Sequence, residues 1–366
     1  MTELTCVSLF SGVGGLDLGA RAAGFDVRFA CDLDSEGLSL LQQAQATPID
    51  VADLYEAGEL SRIITAAEAQ APALLIGGPP CTPWSHAGFW LDYKRNGSDP
   101  ARSLVKAYGE AVDRIQPAAF IMENVPGLRF KTHRPALDAF IGDAEQAGYA
   151  VSHTILDASE HGVAQARRRL FVVGVRGGPP VDWDLLRPLP KRSAGWAIAD
   201  LEGALEPEHD EQPRGKHAEA LRQVSPGENY LMLTRERGHP EGLFRYRGRY
   251  WSFLLKAHPE RPVPTIPAQR VTYNGPFHWT GRHLRTREMA RLQGFPDSYP
   301  LSPRLDTARR HIGNAVPPPL AARVAWLVRV ALAGLTAEPE VAQAAADPRA
   351  TFAEVTAALP VARPAA

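Results

Sequence analysis

One cysteine stands in a segment suited to nucleophilic chemistry. Cys81 lies within residues 77–85, Gly-Gly-Pro-Pro-Cys-Thr-Pro-Trp-Ser, directly after the apolar run 73–76. The apolar run predicts a buried strand, which the glycines and prolines end. In open α/β sheets, reacting groups collect beyond the carboxyl ends of strands. A lone cysteine is more often a small buried apolar residue, so other polar positions must decide between the two interpretations.

A carboxylate and a pair of arginines are placed in the same way. Glu123 follows the apolar run 118–122, and burial at such a strand end raises the pKa of a carboxyl group, which suits a proton donor. Arg167 and Arg169 lead into another apolar run, and strand alternation puts both on one face. Guanidinium groups present a fixed fork of donors to carbonyl oxygens or phosphates. Taken singly, a loop carboxylate and solvated arginines are the ordinary alternatives.

The elements that open the chain predict a nucleotide site. Residues 5–32 read as a strand, a glycine-rich turn at 11–15, a helix and a second strand that closes with Asp32. An acid after the second strand suits ribose hydroxyls. The glycine spacing is not G-x-G-x-x-G, which disfavours NAD and suits S-adenosylmethionine, a nucleotide without a pyrophosphate. Asp53, near the end of a third predicted strand, is placed to meet the adenine.

Composition indicates a two-domain protein of the reducing cytosol. The chain has 366 residues, of which 45% are hydrophobic and 22% charged. Its three cysteines lie far apart with no CxxC pair, which indicates neither a disulfide framework nor a zinc cluster. The start shows no basic region before an apolar run, and no apolar stretch of about 18 residues occurs. We expect no secretion and no membrane span.

The charge distribution favours a nucleic-acid partner although the net charge is only −1. Residues 1–60 carry 10 acidic and 2 basic side chains, whereas residues 161–330 carry 27 Lys and Arg against 16 Asp and Glu. One part of the molecule therefore presents a positive field to phosphates.

Taken together and in this order, six segments resemble the bacterial cytosine-C5 DNA methyltransferases. The segments are Phe10-Ser11-Gly12-Val13-Gly14-Gly15, Pro80-Cys81 with Ser85, Glu123-Asn124-Val125, Gln165-x-Arg167-x-Arg169, Arg287-Glu288 with residues 292–297, and Gly313-Asn314-Ala315-Val316. The resemblance covers residues 4–176 and about 262–330. Thr82 and Trp84 replace the family's usual Gln and Phe in the catalytic loop. Ala164 replaces a usual proline before Gln165, a local change of stiffness that leaves the chemistry intact.

The resemblance implies a fold and a division of the chain. The fold is α/β, a Rossmann-like S-adenosylmethionine-dependent methyltransferase fold with a doubly wound mixed sheet and a smaller, irregular, β-rich target-recognition domain. We expect the catalytic and cofactor-binding domain at 1–185 and target recognition at 186–280. The chain would return to the catalytic domain at 281–335, and a disordered tail would follow at 336–366.

The resemblance also implies a mechanism. Cys81 would attack C6 of a cytosine flipped out of a specific short double-stranded DNA sequence, which makes C5 nucleophilic. Glu123 would hold and protonate N3, Arg167 would contact O2, and Arg169 would support Glu123 or the loop. S-adenosylmethionine would give its methyl group to C5 and leave as S-adenosylhomocysteine, with no metal.

Further contacts follow from the same resemblance. The cofactor-binding residues would be Phe10, Gly12, Gly14, Asp32, Leu33, Asp53, Pro80, Asn314 and Val316. Ser85, Gln165 and Thr265 would contact DNA by the resemblance, and Arg245, Arg247 and Arg249 are added by the pattern of their own segment. Arginines alternate with aromatic residues over 244–253, which suits strands that place cations on DNA and aromatics in a small core; an exposed basic hairpin is an equal alternative.

Two other functions remain open at this point. One is an RNA cytosine-5 methyltransferase acting on transfer RNA, against which a long recognition segment favours DNA. The other is a catalytically silent DNA-binding relative, against which Cys81, Glu123 and Arg167 together argue. We expect a monomer in the prokaryotic cytosol. It would act with a restriction endonuclease encoded nearby, without a stable complex, or as an orphan enzyme.

Overall fold

A seven-stranded mixed sheet forms the centre of the computed structural model, which describes residues 4–80, 100–336 and 363–364. The order across the sheet is β3-β2-β1-β4-β5-β8-β6, with β8 antiparallel to both neighbours and the other pairs parallel. The strands are β1 (Thr5–Leu9), β2 (Asp26–Asp32), β3 (Ile49–Val51), β4 (Leu74–Gly77), β5 (Ala119–Asn124), β6 (Tyr149–Asp157), β7 (Gln165–Ala166), β8 (Arg168–Arg176), β9 (Val263–Pro264), β10 (Leu335–Thr336) and β11 (Arg363–Pro364). The predicted doubly wound sheet is confirmed.

The order of the strands reverses between β1 and β4, and this reversal opens a crevice at their carboxyl ends. Cys81 and Ser85 follow β4 in the chain but lie outside the described residues, as does the predicted tail beyond residue 336 except for 363–364.

Helices cover both faces of the sheet and make up much of the remainder. They are α1 (Gly15–Ala22), α2 (Ser35–Gln45), α3 (Ala57–Glu68), α4 (Pro100–Ile115), α5 (Arg134–Gln146), α6 (Ala194–Ile198), α7 (Ala218–Gln223), α8 (Thr286–Leu292), α9 (Leu305–Asn314) and α10 (Pro318–Leu332). Local chemistry sets several boundaries. The Asp34 carboxylate accepts from Gly37 N at 3.1 Å and caps α2. Prolines open α5 and α10, where their missing N–H leaves no helical bond unmade.

The two faces of the sheet have separate apolar cores. On one face, Leu16 and Ala20 of α1 pack with Val324 and Leu327 of α10. On the other face, α3, α4 and α5 cover the sheet. By length and composition, Leu305–Leu332 could cross a membrane, but 78% of its most apolar window is buried inside the protein. Within the described residues, α10 therefore packs beside α1, the first helix of the chain.

Backbone contact between α1 and α10 depends on Gly19. A Cβ at Gly19 would lie 2.4 Å from Ala321 Cβ and 2.5 Å from Ala322 N, whereas one at Gly142 of α5 would meet nothing within 4 Å. We therefore expect Gly19→Ala to lower the free energy of unfolding by about 1–3 kcal/mol through overpacking. Gly142→Ala should raise it by about 0.5–1 kcal/mol, because alanine favours the helix.

Urea unfolding of both variants measures these opposite effects. Equal stability of the Gly19→Ala variant and the wild type would contradict the close packing of α1 on α10.

The predicted target-recognition segment is irregular, but it is not β-rich. Within 186–280, which the structure describes completely, β9 is the only strand, and two isolated bridges join 253 to 274 and 256 to 277. The alternating stretch 244–253 forms turns rather than strands, with Arg247 at a positive φ of 53°. Glycine and proline are frequent in this part of the chain, and both interrupt the hydrogen-bonded ladders of a sheet.

Candidate active site

Glu123 ends β5 beside the segment that leads to Cys81. The Asn124 amide donates to Pro79 O at 3.2 Å, and a Cβ on Gly78 would lie 3.3 Å from Glu123 Oε2. The carboxyl ends of β4 and β5 therefore meet, and the two strand ends that the sequence marked separately lie together. The described chain reaches Pro80, so Glu123 lies next to the residues that directly precede Cys81.

Glu123 is paired with Arg169. Arg169 Nε lies 2.8 Å from Glu123 Oε1, and Glu123 is only 8% exposed. Burial raises the pKa of the Glu123 carboxyl, while the charges of Arg169 and Arg167 oppose that rise. The arrangement presents a buried carboxyl group that holds a proton more readily than usual, with a cation at its side.

Arg167 makes a different set of contacts. Its guanidinium donates to Gly313 O at 2.7 Å, Ala315 O at 3.2 Å and Ile266 O at 3.3 Å, and the residue is 1% exposed. These contacts hold the end of β9 against the end of α9. The predicted contact of Arg167 with cytosine O2 does not fit this placement, because both terminal nitrogens of its buried guanidinium donate to backbone carbonyls.

Two glutamines complete the same buried junction. Gln165 Oε1 accepts from Ile266 N at 3.0 Å, and Gln165 Nε2 donates to Gln293 Oε1. Gln293 Nε2 in turn donates to Ala315 O at 2.7 Å. Gln165 is fully buried, so the predicted contact of its side chain with DNA is not compatible with this structure. Burial of these amides is sustainable because their partners are within hydrogen-bond distance.

Thr265 lies at the surface of the junction. Its hydroxyl donates to Ala166 O at 2.8 Å, next to the pairing of β7 with β9. The residue is exposed and stays a candidate for DNA contact.

The glycine turn after β1 has the features of a ligand cradle. Phe10, Gly12 and Gly14 all have positive φ, and a Cβ at Gly12 would meet nothing within 4 Å. The Asp32 carboxylate accepts from Gly12 N and from Asp34 N, both at 2.8 Å. Gly14 lets the turn pack closely on Leu41 of α2, since a Cβ at Gly14 would lie 2.6 Å from the Leu41 side chain.

The set of side chains around this turn fits S-adenosylmethionine. Leu33, directly after Asp32, is a large apolar residue that is 65% exposed, as a platform for an adenine ring would be. Asp53 lies at the partly exposed end of β3, where its carboxylate accepts from Tyr55 N at 3.0 Å. Open space at Gly12, a carboxylate at Asp32 and an apolar surface at Leu33 match an amino-acid chain, a ribose and an adenine in that order.

The far end of the chain returns to this turn. A Cβ at Gly15 would lie 2.2 Å from Val316 O, so the two backbones touch. Asn314, at the end of α9, is exposed, and Pro80 is exposed at the end of the segment after β4. The predicted cofactor residues therefore approach from β1, β2, β3 and the segment before α10.

Sequence reasoning missed residues that support the turn. The Tyr299 hydroxyl donates to Val13 O, and His311 Nε2 lies 2.9 Å from Asp34 Oδ2. No local signal marks them, because their partners are 286 and 277 residues away.

The loop 245–251 forms a basic and aromatic surface. Arg245, Arg247 and Arg249 are exposed, and so are Tyr250 (69%) and Trp251 (61%). The prediction that the aromatics form a small core holds for others in this stretch: the rings of Phe244 and Phe253 are 5.5 Å apart and edge to face. The small core is thus present, and three aromatics, Tyr246, Tyr250 and Trp251, stay outside it.

Comparisons with known proteins agree with this geometry. A family model described as C-5 cytosine-specific DNA methylase matches residues 4–327. The Type II methyltransferase M.SacI of Streptomyces achromogenes is 38% identical over 86% of this chain and 90% of its own. M.MthTI of Methanothermobacter thermautotrophicus is 30% identical over 91% and 99%. A solved structure of an E. coli prophage protein, assigned as a DNA modification methyltransferase, superposes with a TM-score of 0.64 at 21% identity. The match spans 90% of this chain and 99% of the other, and it supports the fold.

Proposed function

The chain belongs to the family of C-5 cytosine-specific DNA methylases, and from this premise we propose how its residues methylate C5 of cytosine in DNA. The observation that carries the proposal is the buried Glu123–Arg169 pair, held beside Pro79 and Pro80. Cys81 follows these prolines, so its thiolate would act next to a carboxyl group that donates a proton.

The chemistry proceeds by addition and elimination. The Cys81 sulfur adds to C6 while Glu123 protonates N3, so that negative charge does not build up on the ring. C5 then carries enamine character and takes the methyl group that S-adenosylmethionine supplies. Water then takes the C5 proton, the C5–C6 double bond re-forms as the Cys81 thiolate leaves, and the N3 proton goes back to Glu123, which returns the enzyme to its starting form.

Arg169, rather than Arg167, contacts cytosine O2. N3 of cytosine lies between N4 and O2 on one edge of the ring, so a cation beside Glu123 reaches O2 when Glu123 meets N3. Arg169 has that position, at 2.8 Å from Glu123. Arg167 is a positioning residue that holds the backbone of the junction.

S-adenosylmethionine would lie across the carboxyl ends of β1, β2 and β3. Asp32 would bind the ribose hydroxyls, Leu33 would pack on the adenine and Asp53 would accept from its amino group. The positive φ of Phe10 and Gly12 turns the backbone towards the methionine end. Pro80, Asn314 and Val316 would close the site from the other side, and Gly14 would let the turn pack on α2.

The substrate cytosine must leave the double helix to meet this pocket. Glu123 is buried, and C6 is hidden inside a base stack, so the base flips at a cost of a few kcal/mol. We assign Ser85 and its neighbours in 82–98 to closing over the flipped base and filling the gap. The enzyme acts as a monomer, as the modification half of a restriction-modification pair or as an orphan.

Recognition of the DNA sequence belongs to 186–280 in this proposal. Residues 220–277 hold an apolar cluster of their own, which supports a separate recognition unit, whereas 194–201 and 257–266 pack with α8 and α9. The loop 245–251 lies on the first of these clusters. Its arginines provide the donors that suit guanine and phosphate oxygens.

Neutralising the loop should weaken DNA binding without harming the cofactor site. We expect the triple change Arg245→Gln, Arg247→Gln and Arg249→Gln to reduce the slope of log affinity against log salt by about 1 for each arginine that binds a phosphate. An arginine that reads a base should instead cost about 1–3 kcal/mol on the cognate sequence alone. Fluorescence anisotropy over a salt series separates the two cases.

Arg28→Gln is the matched control for this test. Arg28 lies near the amino end of β2, away from the proposed site, and pairs with Asp26 at 2.9 Å. It should leave the salt slope unchanged. An unchanged slope and unchanged cognate affinity in the triple variant would place DNA recognition elsewhere on the molecule.

Labelled methyl transfer decides between the substrates. With S-adenosylmethionine labelled in its methyl group, duplex DNA should gain label as 5-methylcytosine and transfer RNA should not. Label in transfer RNA alone would replace the DNA assignment by the RNA alternative.

A further inference from the structure

The glycine turn of the proposed cofactor site is held by a residue from the far end of the chain. Tyr299 lies in the turn after α8, is 3% exposed, and donates its hydroxyl to Val13 O. Val13 is the residue between Gly12 and Gly14. The only other bond from outside the turn to these three residues, among the described side-chain contacts, is that from Gly12 N to Asp32.

Tyr299 itself is firmly placed. Its ring packs on Phe295 with centroids 4.9 Å apart, and its own carbonyl accepts from Arg287 Nη2 at 3.0 Å. Arg287 and Phe295 belong to the segments that carried the sequence resemblance, and neither touches the reacting groups described above. Both residues hold Tyr299 in place, and Tyr299 in turn holds the glycine turn.

We propose that Tyr299 is a positioning residue for cofactor binding, which holds the Val13 peptide so that the turn keeps the shape that S-adenosylmethionine requires. The inference rests on the proposed function, since it concerns the same site. The Val13 carbonyl and the Gly14 N–H belong to one planar peptide, whose N–H donates to Ser11 O at 2.8 Å within the turn. The bond from Tyr299 holds the carbonyl side of the same peptide from outside the turn, next to a glycine whose backbone is conformationally permissive.

Removing the hydroxyl should therefore act on affinity for the cofactor. We expect Tyr299→Phe to weaken binding of S-adenosylhomocysteine about tenfold, the scale of one buried hydrogen bond. The KM for S-adenosylmethionine should rise by a similar factor, while kcat at saturating cofactor and the KM for DNA should change less than twofold. Hydrogen exchange of the amides at 11–15 should become faster in the ligand-free protein.

Tyr149→Phe provides a matched control. The Tyr149 hydroxyl donates to Pro117 O at 2.7 Å, and the residue is also 3% exposed, but it lies at the opposite end of the sheet. Both variants lose one buried bond from a tyrosine to a carbonyl. Loss of stability should be similar in the two, whereas loss of affinity for S-adenosylhomocysteine should occur only in Tyr299→Phe.

Calorimetric titration with S-adenosylhomocysteine measures the outcome without any turnover. Affinity within twofold of wild type for Tyr299→Phe, or an equal loss in Tyr149→Phe, would overturn the positioning role. If the wild type itself failed to bind S-adenosylhomocysteine, the proposed function would fail instead, so the two failures are distinguishable.

Discussion

Glu123→Gln is expected to lower kcat by about 10²–10⁴-fold while the affinity for S-adenosylhomocysteine stays within twofold of wild type. Glutamine keeps the shape and can accept or donate a hydrogen bond, but it cannot give up a proton to N3. The carboxylate lies against Arg169, and Glu123 is not among the residues proposed to bind the cofactor, so the cofactor should bind normally. Single-turnover methyl transfer with saturating DNA measures the effect, and equal losses in kcat and cofactor affinity would contradict the acid role.

The pH dependence of kcat tests the role of the Glu123 carboxyl group independently. Burial raises the pKa of Glu123, so its protonated, active form persists closer to neutrality, and kcat should fall as pH rises through that pKa. Arg169→Met removes a charge that lowers this pKa, so the alkaline fall should move to higher pH. The residual activity of Glu123→Gln should lack that fall.

Arg167→Met is the comparison for Arg169→Met. Losing Arg167 would remove three buried hydrogen bonds to backbone carbonyls, of which only Ala315 O keeps a second donor among the described residues, so its main effect should be a lower melting temperature. Arg169→Met should lose activity and lower the melting temperature less than Arg167→Met, because Glu123 can take up a proton once its cationic partner is gone. The reverse result would restore the assignment of Arg167 to the base.

Cys81→Ser should abolish methyl transfer and leave binding of duplex DNA intact. A serine hydroxyl is far less nucleophilic than a thiolate at neutral pH, so addition to C6 would stop. Duplex DNA with 5-fluorocytosine at the target position tests this directly, since fluorine at C5 prevents the elimination that releases the cysteine. The wild type should form a covalent complex that survives denaturing electrophoresis, and Cys81→Ser should form none.

Arg28→Gln serves again as the control and should trap DNA as the wild type does. Substantial turnover by Cys81→Ser, or a trapped complex through another residue, would remove Cys81 from the mechanism.

The strands of the sheet could be predicted from local patterns. Apolar runs followed by turn residues marked β4 and β5, and polar side chains were expected beyond their carboxyl ends. The structure adds that β4 and β5 are neighbours, which brings Glu123 beside the segment that leads to Cys81. The fold follows from such rules because each strand carries its own signal.

The roles of the two arginines could not be predicted in this way. Strand alternation puts Arg167 and Arg169 on one face, but it does not say which of them meets the catalytic carboxylate. Arg167 lies between β7 and β8, where Ile266 and Gly313 come within reach from distant parts of the chain. Only the tertiary structure brings those carbonyls to it, and the same holds for Gln165 and Gln293.

The largest difference between prediction and structure lies in residues 244–253 of the proposed recognition segment, which form turns instead of a strand. Alternating arginines and aromatics predict a strand, but Gly248 and the positive φ of Arg247 turn the chain instead. Its backbone is fastened by the Tyr230 hydroxyl, which donates to Arg249 O at 2.8 Å. A loop held by side chains from another element leaves no periodic signal in its own sequence.

Bisulfite sequencing of plasmid DNA from cells that express the protein tests the central claim most directly. The account predicts one short sequence in which a single cytosine resists conversion at nearly every site, and full conversion of that cytosine with Cys81→Ser. A wild type that is folded and binds S-adenosylhomocysteine but protects no cytosine would contradict the claim that this chain methylates C5 in DNA.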